Sequence, residues 1–197
     1  MKRFIFIISI LALIGCQSTQ TIEKAQSYST CVFPDSPSTE APSWICNVMP
    51  QDLAIASTGY AKKSAAGMSI MRKVAVNDAR VALASEFQTD VSNMFKQAIE
   101  SNVITTEKST EEHVIERVES VTKNVVSRSL SNSRIIVSQV SPSGGLYLLV
   151  GMDNAAYQAN VNKIVDTVNE DSQLWNKFNN EKATEELSNA LESLKNL

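Results

Sequence analysis

Leu146-Tyr147-Leu148-Leu149-Val150 is apolar at every position, and this stretch decides the fold. A short unbroken apolar run bounded by turn residues fits a strand buried on both faces, and such a strand belongs at the centre of its sheet. Just upstream, Arg134–Ser141 reads as a second strand. Pro142-Ser143-Gly144-Gly145 joins the two as a hairpin. Leu53–Tyr60 supplies a third strand, with Leu53 and Ile55 alternating with small residues. Gly59 either ends that strand or admits a helix at close range.

Between the strands the period changes to that of a helix. From Ser64 onward, Met68, Met71, Ala75, Ala79, Ala82, Phe87, Val91, Met94 and Ala98 fall along one face, and the many alanines predict a close approach to the sheet. Ser109 with Glu112 forms a capping box. It opens a second helix with a stripe of Val114, Val118, Val121 and Val125, where period and capping outweigh the strand propensity of valine. After Gly151 releases the hairpin, Asp153 caps a third helix near Asn154. A polar break at Asn169–Asp171 precedes a last helix. The order β-α-α-β-β-α-α predicts an α+β fold, a small antiparallel three-stranded sheet with long helices packed on one face.

The N-terminus has a different logic. Lys2 and Arg3 precede a run, Phe4–Ile14, that is apolar apart from Ser9, is shorter than the about 20 residues needed to span a bilayer and fits a signal-peptide core. It ends in Leu13-Ile14-Gly15-Cys16, which reads as a bacterial lipobox. Residues 1–15 are then the leader, and Cys16 receives a diacylglyceryl group and an N-acyl chain. Multiple acyl chains anchor a protein stably where a single one does not. Gln17, not aspartate, follows the cysteine, which directs the expectation to the outer membrane, periplasmic side. Residues 16–30 are the lipidated N-terminus and a flexible tether, of which the polar stretch Gln17–Thr30 reaches about 45–50 Å when extended. The expected domain covers 31–168, and 169–197 is a helical extension.

The formal charge is −3, and loss of Lys2 and Arg3 makes it more negative. No basic stripe is present, which argues against a nucleic-acid partner. With Cys16 lipidated, Cys31 and Cys46 remain as a pair in an oxidising compartment, and a disulfide is the expected state. The chain has one histidine, His113, too few nitrogen and sulfur ligands for a closed metal shell. Neither a metal nor a cofactor beyond the covalent lipid is expected.

Pro42-Ser43-Trp44, Gly59-Tyr60-Ala61, the helix through Asn77-Asp78-Ala79-Arg80-Val81-Ala82-Leu83-Ala84 and the closing Leu146–Asp153 occur in an order and spacing that resemble a known pattern. With the lipobox, they resemble the Lpp-twenty family of bacterial outer-membrane lipoproteins, which includes flagellum-associated members. The resemblance covers roughly Ala41–Asp166. It implies an envelope lipoprotein, places the flagellar basal body among its candidate assemblies, and carries over no catalytic residue.

The residues add no catalytic set of their own. Ser120 and Lys123 match S-x-x-K without its companion motifs, and no nucleophile elbow or phosphate-binding loop occurs. Asp78 and Arg80, two apart on a helix, read as solvated or as capping a neighbouring element. Trp175, Phe178, Leu187, Leu191 and Leu194 form an apolar group beyond the expected core, which either folds back on the sheet or meets a partner. The expected function is therefore a non-enzymatic structural or interaction lipoprotein that self-associates or joins an envelope assembly. The competing expectation is a periplasmic lipid or peptidoglycan carrier or hydrolase using a cleft between the long helix and the sheet.

Overall fold

A computed structural model describes residues 30–102, 108–129, 132–176 and 181–196. The elements run β1 (Val32–Phe33), β2 (Ser36–Glu40), a 3-10 turn (Ser43–Cys46), β3 (Ile55–Ala61), α1 (Met68–Asn102), α2 (Lys108–Ser129), β4 (Arg134–Val140), β5 (Leu146–Met152), α3 (Asn154–Asn169), α4 (Ser172–Trp175) and α5 (Glu181–Ser193). A 3-10 turn, Leu194–Asn196, follows α5. The leader, the lipobox residues Leu13, Ile14, Gly15 and Cys16, the tether up to 29, and Phe178 lie outside the described residues.

The fold is α+β, and its main sheet is antiparallel with the order β3-β5-β4, so the all-apolar strand is central. Every residue of β5 is buried. Its side chains alternate as a strand requires. Leu146, Leu148, Val150 and Met152 enter the main core with the helices, whereas Tyr147 joins a smaller cluster with Phe33 and Ile45 on the opposite face. β5 runs through Gly151 instead of ending there, because Gly151 pairs with Ala56, and a Cβ at Gly151 would sit 3.0 Å from the Ala56 Cβ.

β3 presents Ile55, Ser57, Gly59 and Ala61 to α1. At Gly59 the contact is backbone to backbone. A Cβ there would lie 2.0 Å from the Ala75 carbonyl oxygen and 2.8 Å from the Ala79 Cβ. Glycine on the strand and alanines on the helix are thus two halves of one contact. α1 starts at Met68, not Ser64, because Gly67 adopts φ 89° and Ser64 Oγ accepts the Ala66 N–H in a local turn. Met68 is accordingly exposed, and Leu83, Phe95 and Ile99 complete the buried face instead.

The valine stripe of α2 is helical and buried at Val114, Val118 and Val121. The side chain of Val125 lies outside the described residues, and Val126 is buried. Ser109 sits inside the helix, not at its cap, since α2 already includes Lys108. Asp153 does cap α3, accepting the Ala156 N–H at 2.9 Å.

Cys31–Leu197 forms one compact unit, so the segment after Asn169 is not separate from the domain. α5 lays its apolar stripe into the main core, with Leu187 and Leu191 at 0% exposure and Leu194 at 4%. The turn after α5 is tied to α3 by Gln158 Nε2 donating to the Leu194 carbonyl at 2.9 Å and by the Lys195–Asp166 ion pair at 2.8 Å. Trp175 packs half-buried against the same core and donates its Nε1–H to the Asn169 carbonyl at 2.9 Å.

Gly59→Ala tests the close contact. Overpacking at this point is expected to destabilise the chain by about 1–3 kcal/mol in urea unfolding. An unchanged midpoint would contradict the geometry.

Candidate functional site

Two features outside the helical core carry polar side chains next to the main sheet: a cap over its outer face and a groove along the edge of β3.

The cap is built from residues that have little means of folding alone. β1 and β2 form a two-stranded antiparallel ribbon, and the 3-10 turn drops Ile45 onto the outer face. Cys31 and Cys46 are joined as a disulfide that brackets this segment, with a sequence separation of 15. Closing a loop of that size contributes about 3 kcal/mol in the chain-entropy account. Phe33 and Tyr60 stack on Tyr147, with ring centroids 5.6 and 4.6 Å away.

A polar latch completes the cap. Asp35, in the turn between β1 and β2, accepts hydrogen bonds on Oδ2 from Ser143 Oγ at 2.6 Å, Ser141 Oγ at 2.7 Å and Tyr60 Oη at 3.2 Å. Ser141 Oγ in turn accepts the Gly145 N–H at 3.0 Å. A Cβ on Gly145 would stand 2.4 Å from that same Asp35 oxygen, so glycine is needed there for more than the turn. Burial alone pushes the Asp35 carboxyl up, but the hydroxyls of Ser143, Ser141 and Tyr60 outweigh it and hold the group below the usual aspartate value. Burial, reinforced by the Asp35 charge, pushes Tyr147 up to about 12. Tyr60 is raised by burial and by its hydrogen bond to Asp35.

The groove lies where α1 passes the free edge of β3. It encloses about 320 Å³, with Ala54, Ala56 and Thr58 as its floor, Glu86 and Asp90 of α1 on one side, and Trp44, Val48 and Met49 on the other. Asn47, at φ 63°, turns the chain out of the 3-10 turn, and Val48 and Met49 project beyond it at 58% and 44% exposure. Ser57 Oγ donates to Glu86 Oε2 at 2.8 Å, and Thr58 Oγ1 donates to the Trp44 carbonyl at 3.1 Å, which fixes both walls to the strand. The interface between α1 and the sheet itself is filled by Ala75, Ala79 and Leu83.

The residues singled out in the sequence separate accordingly. Cys31 and Cys46 come together. Leu187, Leu191 and Leu194 are core residues, which removes them from any docking surface in this fold, because burying them completes the helical side of the domain. His113 lies exposed on α2, 3.5 Å from Glu116. Ser120 and Lys123 are exposed on the same helix. Of the two readings of Asp78, solvated or capping, the structure shows the second: its Oδ2 accepts the Tyr60 N–H at 2.9 Å. The latch left no trace in the sequence, since Asp35 and its serines are more than a hundred positions apart. Among the described residues no helix is long and apolar enough to cross a membrane.

The latch predicts a pH profile. Asp35 is depressed, so its stabilisation is complete above the unfolded value near 3.8 and is lost as pH falls through the folded value. Tyr60 and Tyr147 are raised, so theirs is complete below pH 10.0 and is lost as pH rises through their folded values, about 12 for Tyr147. In denaturant unfolding, Asp35→Asn should be less stable than wild type at neutral pH, with the gap narrowing on acidification. A gap independent of pH would contradict the latch.

No curated protein matches the chain. The family model of the LPP20 lipoprotein matches residues 42–153, from the cap through all three strands of the main sheet to the cap of α3. This match spans more than half of the sequence, and the chain belongs to the LPP20 lipoprotein family.

Proposed function

We propose that this lipoprotein is held by the acylated Cys16 in the outer membrane, on its periplasmic side, and acts there as a non-enzymatic interaction module. The family match, together with the lipobox at Leu13–Cys16, supports the anchor. The observation that carries the interaction reading is on α1, where Ile70, Val74 and Val81 recur at helical spacing and face water. A helix that buries one apolar face and exposes apolar residues on another has a second surface to cover. The occupants of that surface are a second copy of the chain or a component of an envelope assembly, with the flagellar basal body a candidate among such assemblies. Two of the polar groups have structural duties: Asp35 latches the cap and Asp78 caps a strand edge.

The test joins anchor and surface in one strain set. In cells fed a labelled fatty acid, the wild-type chain is expected to carry label and to fractionate with the outer membrane, and Cys16→Ser is expected to lose both properties. A photo-crosslinker at Val81 is expected to capture a defined envelope partner or a second copy in wild type and to lose that adduct in Cys16→Ser. A wild-type chain that stays unlabelled, or Cys16→Ser still bound to the membrane at mature size, overturns the anchor. A silent crosslinker overturns the interaction surface.

A further inference from the structure

β3 is an edge strand, and one of its outward N–H groups already has a partner outside the sheet, the Asp78 carboxylate bound to Tyr60. In an antiparallel ladder every second residue turns its main-chain groups away from the paired strand. The register of β3 against β5 is unbroken from Ile55 to Ala61. Tyr60 therefore sets the parity, and Thr58 and Ala56 also turn their N–H and C=O groups outward. Asp78 closes the edge at Tyr60, and among the described residues no partner pairs with the outward main-chain groups of Thr58 and Ala56, two of the residues that floor the groove.

The walls select what can lie there. α1 runs back along β3, with Ala75 and Ala79 against Gly59 and Glu86 against Ser57. Glu86 and Asp90 are four residues apart on α1, a rise of about 6 Å. Alternate side chains on one face of a strand repeat at roughly 6.4–6.8 Å. A strand laid along β3 thus brings its residues i and i+2 opposite the two carboxylates in turn. Among the described residues neither Glu86 nor Asp90 has a salt bridge. The other wall carries the apolar side chains of Trp44, Val48 and Met49, with Asn47 among them.

We infer that the open edge of β3 binds an extended segment of a partner protein by strand addition, and that this segment alternates basic with apolar residues. Its main chain bonds Ala56 and Thr58, its basic side chains meet Glu86 and Asp90, and its apolar ones cover Met49 and Trp44. Main-chain pairing supplies affinity and the alternating pockets supply specificity, as in other strand-addition complexes. The inference rests on the interaction reading above and gives that reading a partner chemistry.

The test is fluorescence anisotropy with the full chain in detergent, titrated into a short labelled peptide of alternating lysine and valine. Saturable binding is expected. Replacing lysine by glutamate, or N-methylating the peptide amides that face β3, should each weaken binding about tenfold or more. Ala56→Pro removes an outward N–H at a position where an edge strand tolerates proline, and should do the same with an unchanged circular dichroism spectrum. Glu86→Lys with Asp90→Lys gives up the Ser57–Glu86 bond but keeps the outward N–H groups of β3, and with an unchanged circular dichroism spectrum should reverse the preference toward the glutamate peptide. Equal binding of the N-methylated and unmodified peptides would reduce the contact to charge alone and overturn strand addition, and absence of saturable binding overturns the site. Because the chain meets the peptide in detergent and at the β3 edge, failure here leaves the fatty-acid label and the Val81 adduct standing, and loss of either of those leaves this result standing.

Discussion

A strand with no polar residue has to be covered twice. β5 is buried along its whole length, and its two faces are covered by different parts of the chain. The helical side is ordinary packing: α1 crosses the sheet at glycine and alanine contact distance, and α2, α3 and α5 close around it with branched aliphatic side chains. The other side has far less to work with. Tyr147 and its neighbours are roofed by a ribbon of few residues carrying one phenylalanine, one isoleucine and a half-buried tryptophan. That much apolar surface cannot order the segment alone, and the disulfide and the Asp35 latch make up the difference. The disulfide removes conformations from the unfolded cap, and the latch ties the β1–β2 turn to the hairpin turn beyond β4.

This arrangement bears on how a tethered domain carries load. Cys31 is the first residue of the compact unit and also one end of the disulfide. A pull on the chain before Cys31 passes covalently to Cys46 and the 3-10 turn, not through the two-residue strand β1. The cap is therefore both the roof of β5 and the point at which a lipid-anchored chain would hold its domain. The same segment places Trp44, Val48 and Met49 beside the edge of β3, so the groove exists only while the cap is in place.

The core was legible in the sequence because it is written in local patterns. Five consecutive apolar residues identified the central strand, a Pro-Ser-Gly-Gly turn identified the hairpin, and alanines at helical spacing anticipated the close contact at Gly59. Asp153 announced the start of α3 by residue type and position. What stayed hidden depends on contacts between distant positions. Nothing near Asp35 signals that Ser141 and Ser143 will surround it, and nothing near Tyr60 reveals that its N–H faces away from the sheet toward Asp78. The ribbon β1–β2 was obscured by its prolines, which tolerate an edge position but suppress a strand pattern. Gly67 moved the helix start because its positive φ is not helical. Leu187, Leu191 and Leu194 were ambiguous for a physical reason: an amphipathic stripe has the same spacing whether its partner is the same chain or another one.

The cap is an integral, disulfide-held half of the fold around β5. Native-state hydrogen exchange tests it most directly, read at Phe33, Ala41 and Ile45 in the cap and at Leu148 and Val150 in β5. In the oxidised chain the cap amides that are hydrogen-bonded should show protection of the same order as those of β5. Reduction should open the cap locally, with faster exchange at the cap amides, while Leu148 and Val150 stay protected by the helical core. Fast cap exchange in the oxidised chain, or cap protection indifferent to reduction, would contradict it.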